Sequence, residues 1–160
     1  MKEKIKELVP YIVIIIGVLL LRTFIATPIK VNGTSMYNTL KGNEICILYK
    51  LGDLNRFDII VTDYQNEKLI KRIIAMPGET IAVEDGYIYI NDKKIKDEYG
   101  YGTTDDFEKI TLKDDEYFVM GDNRKISKDS RIIGPVKKED ISGTTNLIIF
   151  PFNKIGKIDK

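Results

Sequence analysis

Three stretches of the chain carry side chains able to do chemistry. The first is GTSMYNTL, residues 33–40, a small turn-like segment with Ser35 near its centre. Ser35 reads either as an ordinary turn serine, bonding its own backbone, or as a nucleophile. In the second reading Gly33 lets a substrate backbone approach closely, and the Ser35 N–H helps to hold an oxyanion. A serine nucleophile needs a base, and the chain contains no histidine. That leaves a lysine or an N-terminal amine.

The second stretch is LIKRIIAMPG, which contains Lys71. Strand alternation puts Leu69, Lys71, Ile73 and Ala75 on one face and Ile70, Arg72 and Ile74 on the other. A lysine in an apolar row loses hydration, its pKa falls, and the neutral amine is a competent general base. The alternative is an edge-strand lysine whose ammonium snorkels to solvent. The third stretch is GDNRKISKDSR, residues 121–131, with more polar turn residues than closing a hairpin requires. Here Asp129 and Arg131 are placed to form a charge-assisted pair, and the Ser127 hydroxyl is able to orient an amine.

These groups need elements to position them, and the first is apolar. Leu8 to Ala26 reads LVPYIVIIIGVLLLRTFIA, nineteen residues with one charge, Arg22. As a helix it covers roughly 28 Å, about one hydrocarbon thickness. Pro10 falls in the first turn, where a missing donor does little harm. A cut after Ala26 would place Phe24 where a small residue is wanted, so the segment reads as an uncleaved anchor rather than a removed signal peptide. Lys2, Lys4 and Lys6 precede the span, and the excess of positive charge places the N-terminus in the cytoplasm and the rest of the chain outside it. An N-terminal amine on the cytoplasmic side is out of reach, so lysine remains as the base.

Beyond Thr27 the chain changes to short segments rich in Ile, Val and Tyr, separated by Gly, Asn and Asp. Strands are predicted over Ile29–Val31, Glu44–Tyr49, Asp58–Thr62, Lys68–Ala75, Thr80–Glu84, Tyr87–Ile90, Tyr117–Met120, Ile132–Val136 and Ile141–Phe150. Asp85-Gly86 marks a tight hairpin. Residues 97–113 are polar and uneven, and read as a loop or a small excursion from the sheet. The expectation is a mainly β fold in two parts, a tail and transmembrane anchor over residues 1–26 and an extracytoplasmic β domain over residues 27–160.

Composition excludes several classes. Taking the four basic and two acidic residues of the first 26 from totals of 25 and 24 leaves 21 basic and 22 acidic residues, a balance with no electrostatic footprint for nucleic acid. The single cysteine, Cys46, allows neither an internal disulfide nor a multi-cysteine zinc site, and it reads as a small core residue. Without histidine, a cysteine protease or transpeptidase built on it has no partner base.

Taken together, the anchor and four sequence boxes resemble the type I signal peptidases of bacteria in their compact form. GTSMYNTL resembles the family's nucleophile box, RFDIIV the short box around Asp58, LIKRIIAMPGE the lysine box, and GDNRKISKDSR the last box, up to the closing FPFNKIG. The resemblance implies a signal-peptidase-like antiparallel β catalytic domain with one N-terminal transmembrane helix. It implies a Ser35–Lys71 dyad, a hydrogen bond from Ser127 to the lysine, and a structural role for Asp129 with Arg131. It also implies shallow pockets for small residues that include Val31, Met36, Leu40 and Ile70. The implied substrates are signal peptides of secretory preproteins, cut after Ala-x-Ala at the bilayer surface of the cell membrane, with a functional link to the export machinery and no cofactor or metal. Two positions depart from the pattern. Gly33 offers no hydroxyl to the oxyanion, and Asn38 stands where the family usually has proline. Rival readings are a self-cleaving serine–lysine repressor, which lacks an anchor, a specialised pilin-processing relative, and a tethered binding module without catalysis.

Overall fold

Apolar length makes the first element and strand alternation makes most of the rest. The computed structural model describes residues 2–158, with side chains from Lys6 onward. Met1, Asp159, Lys160 and the side chains of Lys2 and Lys4 lie outside that range. Helix α1 spans Lys2–Phe24. Its Lys6–Phe24 stretch is long and apolar enough to cross a membrane, with a mean hydropathy of 2.0, and none of it is buried against the rest of the protein. In water such a helix would expose Leu, Ile and Val on every side, which only a lipid phase makes favourable.

The remaining residues form two antiparallel sheets. The larger contains β1 (Ala26–Lys30), β2 (Ile45–Tyr49), β3 (Ile59–Tyr64), β4 (Glu67–Ala75), β9 (Glu116–Met120), β10 (Val136–Lys137), β11 (Ile141–Phe150) and β12 (Gly156–Lys157). Its order is β1-β2-β11-β3-β4-β9-β10, with β12 alongside β11. The smaller contains β5 (Thr80–Glu84), β6 (Tyr87–Ile90), β7 (Lys93–Lys94) and β8 (Phe107–Thr111), in the order β7-β6-β5-β8. The mainly β expectation holds, as does the hairpin at Asp85-Gly86. Glu84 pairs with Tyr87, and both turn residues take positive φ, +51° and +76°.

The core has three apolar clusters. One lies between the sheets, where Ile81, Val83, Ile88 and Ile90 meet Ile74, Phe118 and Met120. A second holds Val31, Met36, Leu40, Cys46, Ile59 and Ile148, and it supports the Ser35 turn. The third packs Ile60, Ile73, Tyr117, Val119 and Val136. Cys46 is fully buried, and burial pushes its thiol up to about 11, as expected of a core cysteine.

Two predicted elements are corrected. Ile132–Val136 is not a strand. Ser130–Ile133 forms a helical turn, α2, whose N-cap is Asp129, and only Val136–Lys137 pairs with β9. The Asp129 carboxylate accepts from the Arg131 N–H, and Ser130 Oγ accepts from the Val119 N–H at 2.9 Å. Those local bonds outweigh the β preference of two isoleucines. Residues 97–113 are not wholly a loop either, because Phe107–Thr111 forms β8 on the small sheet. A register shift pairs Ile81 with Ile110 and Val83 with Phe107. Residues two apart on β5 therefore face residues three apart on β8, which hides the alternation in the sequence.

Candidate active site

The Ser35 turn links β1 to β2. Met36 and Leu40 sink into the core beneath it, and backbone bonds from Tyr37 to Thr34 and from Leu40 to Met36 close it. The Asn123 N–H donates to the Ser35 carbonyl at 2.9 Å, tying the turn to the loop after β9. Gly33 has φ +81°, and a Cβ built there would meet no protein atom within 4 Å. The backbone before Ser35 is therefore open to an incoming chain. Among the described residues, the Ser35 N–H has no protein acceptor.

Lys71 comes from β4, opposite Ile60 on β3 and one residue before pairing with β9 begins at Arg72 and Met120. Its Nζ lies 2.9 Å from Ser35 Oγ and donates to the Ile70 carbonyl at 2.9 Å. The residue is 3% exposed, so the snorkelling alternative fails. Desolvation lowers its pKa from 10.5 to about 8, against the smaller upward pull of the Asp129 and Asp122 carboxylates. An amine with this pKa is neutral in a substantial fraction of molecules near pH 8.

Two buried ion pairs frame the dyad. Arg131 bonds Asp129 through Nε and Nη2, both at 2.8 Å, as the spacing suggested. Burial pushes the Asp129 carboxyl up, but Arg131, the Gly121 N–H and neighbouring Ser127 together hold it below the ordinary carboxylate range. The second pair was not legible in the sequence. Arg72, on the opposite face of β4 from Lys71, grips Asp122 with two bonds of 2.9 and 2.7 Å, and both residues are almost fully buried. Thr39 Oγ1 donates to the same carboxylate at 2.5 Å, Arg72 also donates to the Phe57 carbonyl, and the Tyr99 ring covers the guanidinium at 3.8 Å. The sequence offered Asp122 only as a turn residue, because its partner lies fifty positions away.

Ser127 departs from the implied arrangement. Its hydroxyl is buried close to Asp129 but meets no partner in hydrogen-bonding geometry among the described residues, so the Ser127–Lys71 bond is not formed. Lys71 Nζ is instead engaged by Ser35 and the Ile70 carbonyl. Gly121 makes this packing possible. A Cβ there would sit 2.2 Å from Ser127 Oγ and 2.6 Å from the Ser35 carbonyl oxygen.

A groove of about 420 Å³ runs to the dyad, lined by Thr27–Gly33, Ser35 and Met36 on one side and by Lys68–Lys71 on the other, with Val61 of β3. Strands β1 and β4 are four places apart in the sheet order, so the sheet coils to bring them across one groove. Both offer unpaired backbone edges, because β1 is an edge strand and Glu67–Lys71 pairs only with β3. Val31, Met36 and Ile70 line the groove, whereas Leu40 is fully buried beneath it and does not. Leu40 is a peg of the turn, and its apolar character answers to the core.

A β domain with a serine hydroxyl against a buried lysine amine, at the end of an extended groove beside an apolar helix, defines a class of membrane-tethered hydrolase. The signal peptidase family, peptidase S26, matches residues 2–150. Signal peptidase I of Bacillus amyloliquefaciens is 39% identical over 163 residues, covering 91% of this chain and 88% of that protein. Signal peptidase I S of Bacillus subtilis (strain 168) is 38% identical, covering 98% and 95%. A crystal structure of a signal peptidase I from Enterococcus faecalis V583 superposes with a TM-score of 0.54 at 31% identity, covering 59% of this chain and 97% of that one. The chain belongs to the signal peptidase family, whose members are serine endopeptidases.

Proposed function

We propose that this protein is a membrane-anchored serine endopeptidase that removes signal peptides from secretory preproteins, with Ser35 as nucleophile and Lys71 as general base. The observation that carries the proposal is the 2.9 Å contact between Ser35 Oγ and a lysine whose burial brings it to about 8. Neutral Lys71 takes the Ser35 proton as the oxygen attacks the substrate carbonyl. The unengaged Ser35 N–H is available to the oxyanion, and backbone donors must suffice because Gly33 brings no hydroxyl. Protonated Lys71 then gives its proton to the departing amine, and water releases the acyl-enzyme. Protonation gives Lys71 a third donor, and the role proposed for Ser127 is to turn its hydroxyl, unpartnered among the described residues, to accept it.

The substrate binds extended, adding to the free edges of β1 and β4. Val31, Met36 and Ile70 leave shallow apolar depressions that suit Ala-x-Ala and reject larger side chains. Residues 1–26 form the cytoplasmic tail and anchor, and residues 27–160 the catalytic domain. The positive flank of α1 sets the N-terminus in the cytoplasm and the site on the outer face of the cell membrane, where preproteins emerge from the export machinery. The test is cleavage of a preprotein with an Ala-x-Ala junction in liposomes, with chelator present, by wild type, Ser35→Ala and Lys71→Met. Cleavage at the junction that disappears in both variants is expected. Cleavage that survives in Lys71→Met removes the proposed base, and a wild type that cuts no preprotein overturns the assignment.

A further inference from the structure

Ile25 is the single residue between α1 and β1, and both of its backbone groups are engaged. Its N–H donates to the Leu21 carbonyl at 2.9 Å, continuing the helix, and its carbonyl accepts from the Lys50 N–H at 3.0 Å, extending the β1–β2 ladder. Helix and sheet hydrogen bonding thus meet with no free linker residue. Two more of the last helical carbonyls, which lack partners within a helix, are also taken up. Lys50 Nζ donates to the Thr23 carbonyl at 2.7 Å and to that of Arg22 at 3.4 Å, and Thr27 Oγ1 donates to Arg22 at 2.8 Å. A cation at this end is further favoured by the helix dipole.

The same strand is a wall of the groove, whose lining begins at Thr27, three residues beyond the helix. Membrane span, junction and substrate-binding edge are therefore one continuous hydrogen-bonded piece. We propose that this junction makes the anchor a ruler, which fixes the height of the groove above the bilayer and so selects the scissile bond by its distance from the substrate's own apolar segment. This rests on the signal-peptidase reading above and adds a second criterion to it. Shallow pockets accept any Ala-x-Ala sequence, whereas a groove held at fixed height accepts only the one presented at that height.

The test uses full-length protein in liposomes: wild type, a variant with Gly-Ser-Gly-Ser inserted between Ile25 and Ala26, and Lys50→Met. Substrates are preproteins whose Ala-x-Ala junction is moved outward from the apolar stretch one residue at a time. A short soluble Ala-x-Ala peptide in detergent reports on the catalytic domain alone. The flexible insert reaches roughly 11 Å, or about three residues of extended chain at ~3.3 Å each. Wild type is expected to favour one spacing and to lose about tenfold within two or three residues of it, as misplacement of a reacting bond does. The insertion variant should cleave across about three further spacings, Lys50→Met should broaden the profile less, and peptide cleavage should be unchanged in both. If both variants keep the wild-type spacing profile, the ruler is wrong and the peptidase stands. If the insertion also abolishes peptide cleavage, its domain is damaged and the Lys50→Met profile alone decides. A wild type that cleaves the peptide but no preprotein at any spacing overturns the reading on which the ruler rests.

Discussion

The two sheets share an apolar cluster but differ in what else they bury. Among the described residues, no strand of the small sheet buries a charged side chain, and Glu84, Lys93, Lys94, Glu108 and Lys109 all face solvent. Strand β4 of the large sheet buries Lys71 and Arg72 in succession, and the loop after β9 buries Asp122 and Asp129. Burying charge is costly unless it is paired. Arg72, Asp122, Asp129 and Arg131 are paired, while Lys71 has no ion pair among the described residues and instead gives up part of its affinity for a proton. The small sheet leaves its charges in water, and the large one accepts a destabilised amine 2.9 Å from the Ser35 hydroxyl.

The largest expected effect tests that contrast at its centre. Lys71→Met should lower preprotein cleavage by about 10³-fold or more while raising stability at pH 7 by on the order of 1–3 kcal/mol. Cleavage rates and urea midpoints on the same samples check both, and a loss of stability would break the comparison. The pH dependence sharpens it. The neutral fraction of Lys71 falls tenfold per unit below about 8, so kcat/KM should rise with pH and level off above about 8. For stability the sign is the same. The folded pKa lies below the ordinary 10.5, so the penalty of burying the charge is complete below about 8 and is relieved as pH rises toward 10.5. The stability gap between Lys71→Met and wild type should shrink across that window in denaturation curves.

Breaking a buried pair comes next. Asp122→Asn leaves the Arg72 guanidinium buried without its counter-charge, and a loss of about 3–5 kcal/mol is expected in chemical denaturation. Gly121→Ala drives a Cβ into Ser127 Oγ and the Ser35 carbonyl. It should cost about 100-fold in kcat by displacing the nucleophile, with a smaller change in KM. The smallest effect belongs to the other sheet. Val83→Ala empties part of the cluster beneath Phe118 and should cost about 1–3 kcal/mol with kcat unchanged. A kcat change there would mean that the two sheets are not separable.

Much of the site was legible because its chemistry is local in sequence. Ser35, Lys71 and the Asp129–Arg131 pair each announce themselves by residue type within a few positions. What escaped has long-range partners. Asp122 looks like a turn residue until Arg72 and Thr39 arrive from two other segments, and Gly121 looks like any loop glycine until Ser127 and the Ser35 carbonyl close over it. Leu40 was misplaced for the reverse reason, since an apolar residue beside a nucleophile reads as pocket and core alike. In the fold, β8 was hidden by a bulge, and α2 by β-branched residues under local capping.

By itself the sequence determined that an apolar helix precedes a β domain, that no histidine can serve as base, and that Ser35 and Lys71 are the candidates for the missing chemistry. Periodicity, composition and local propensity act over a few residues and survive without knowledge of the fold. Only the tertiary structure decided that Lys71 reaches Ser35, that burial lowers its pKa to about 8, and that helix and groove share one hydrogen-bonded junction. Those properties depend on which distant segments exclude water from a side chain, and desolvation is fixed by packing rather than by neighbours in the chain.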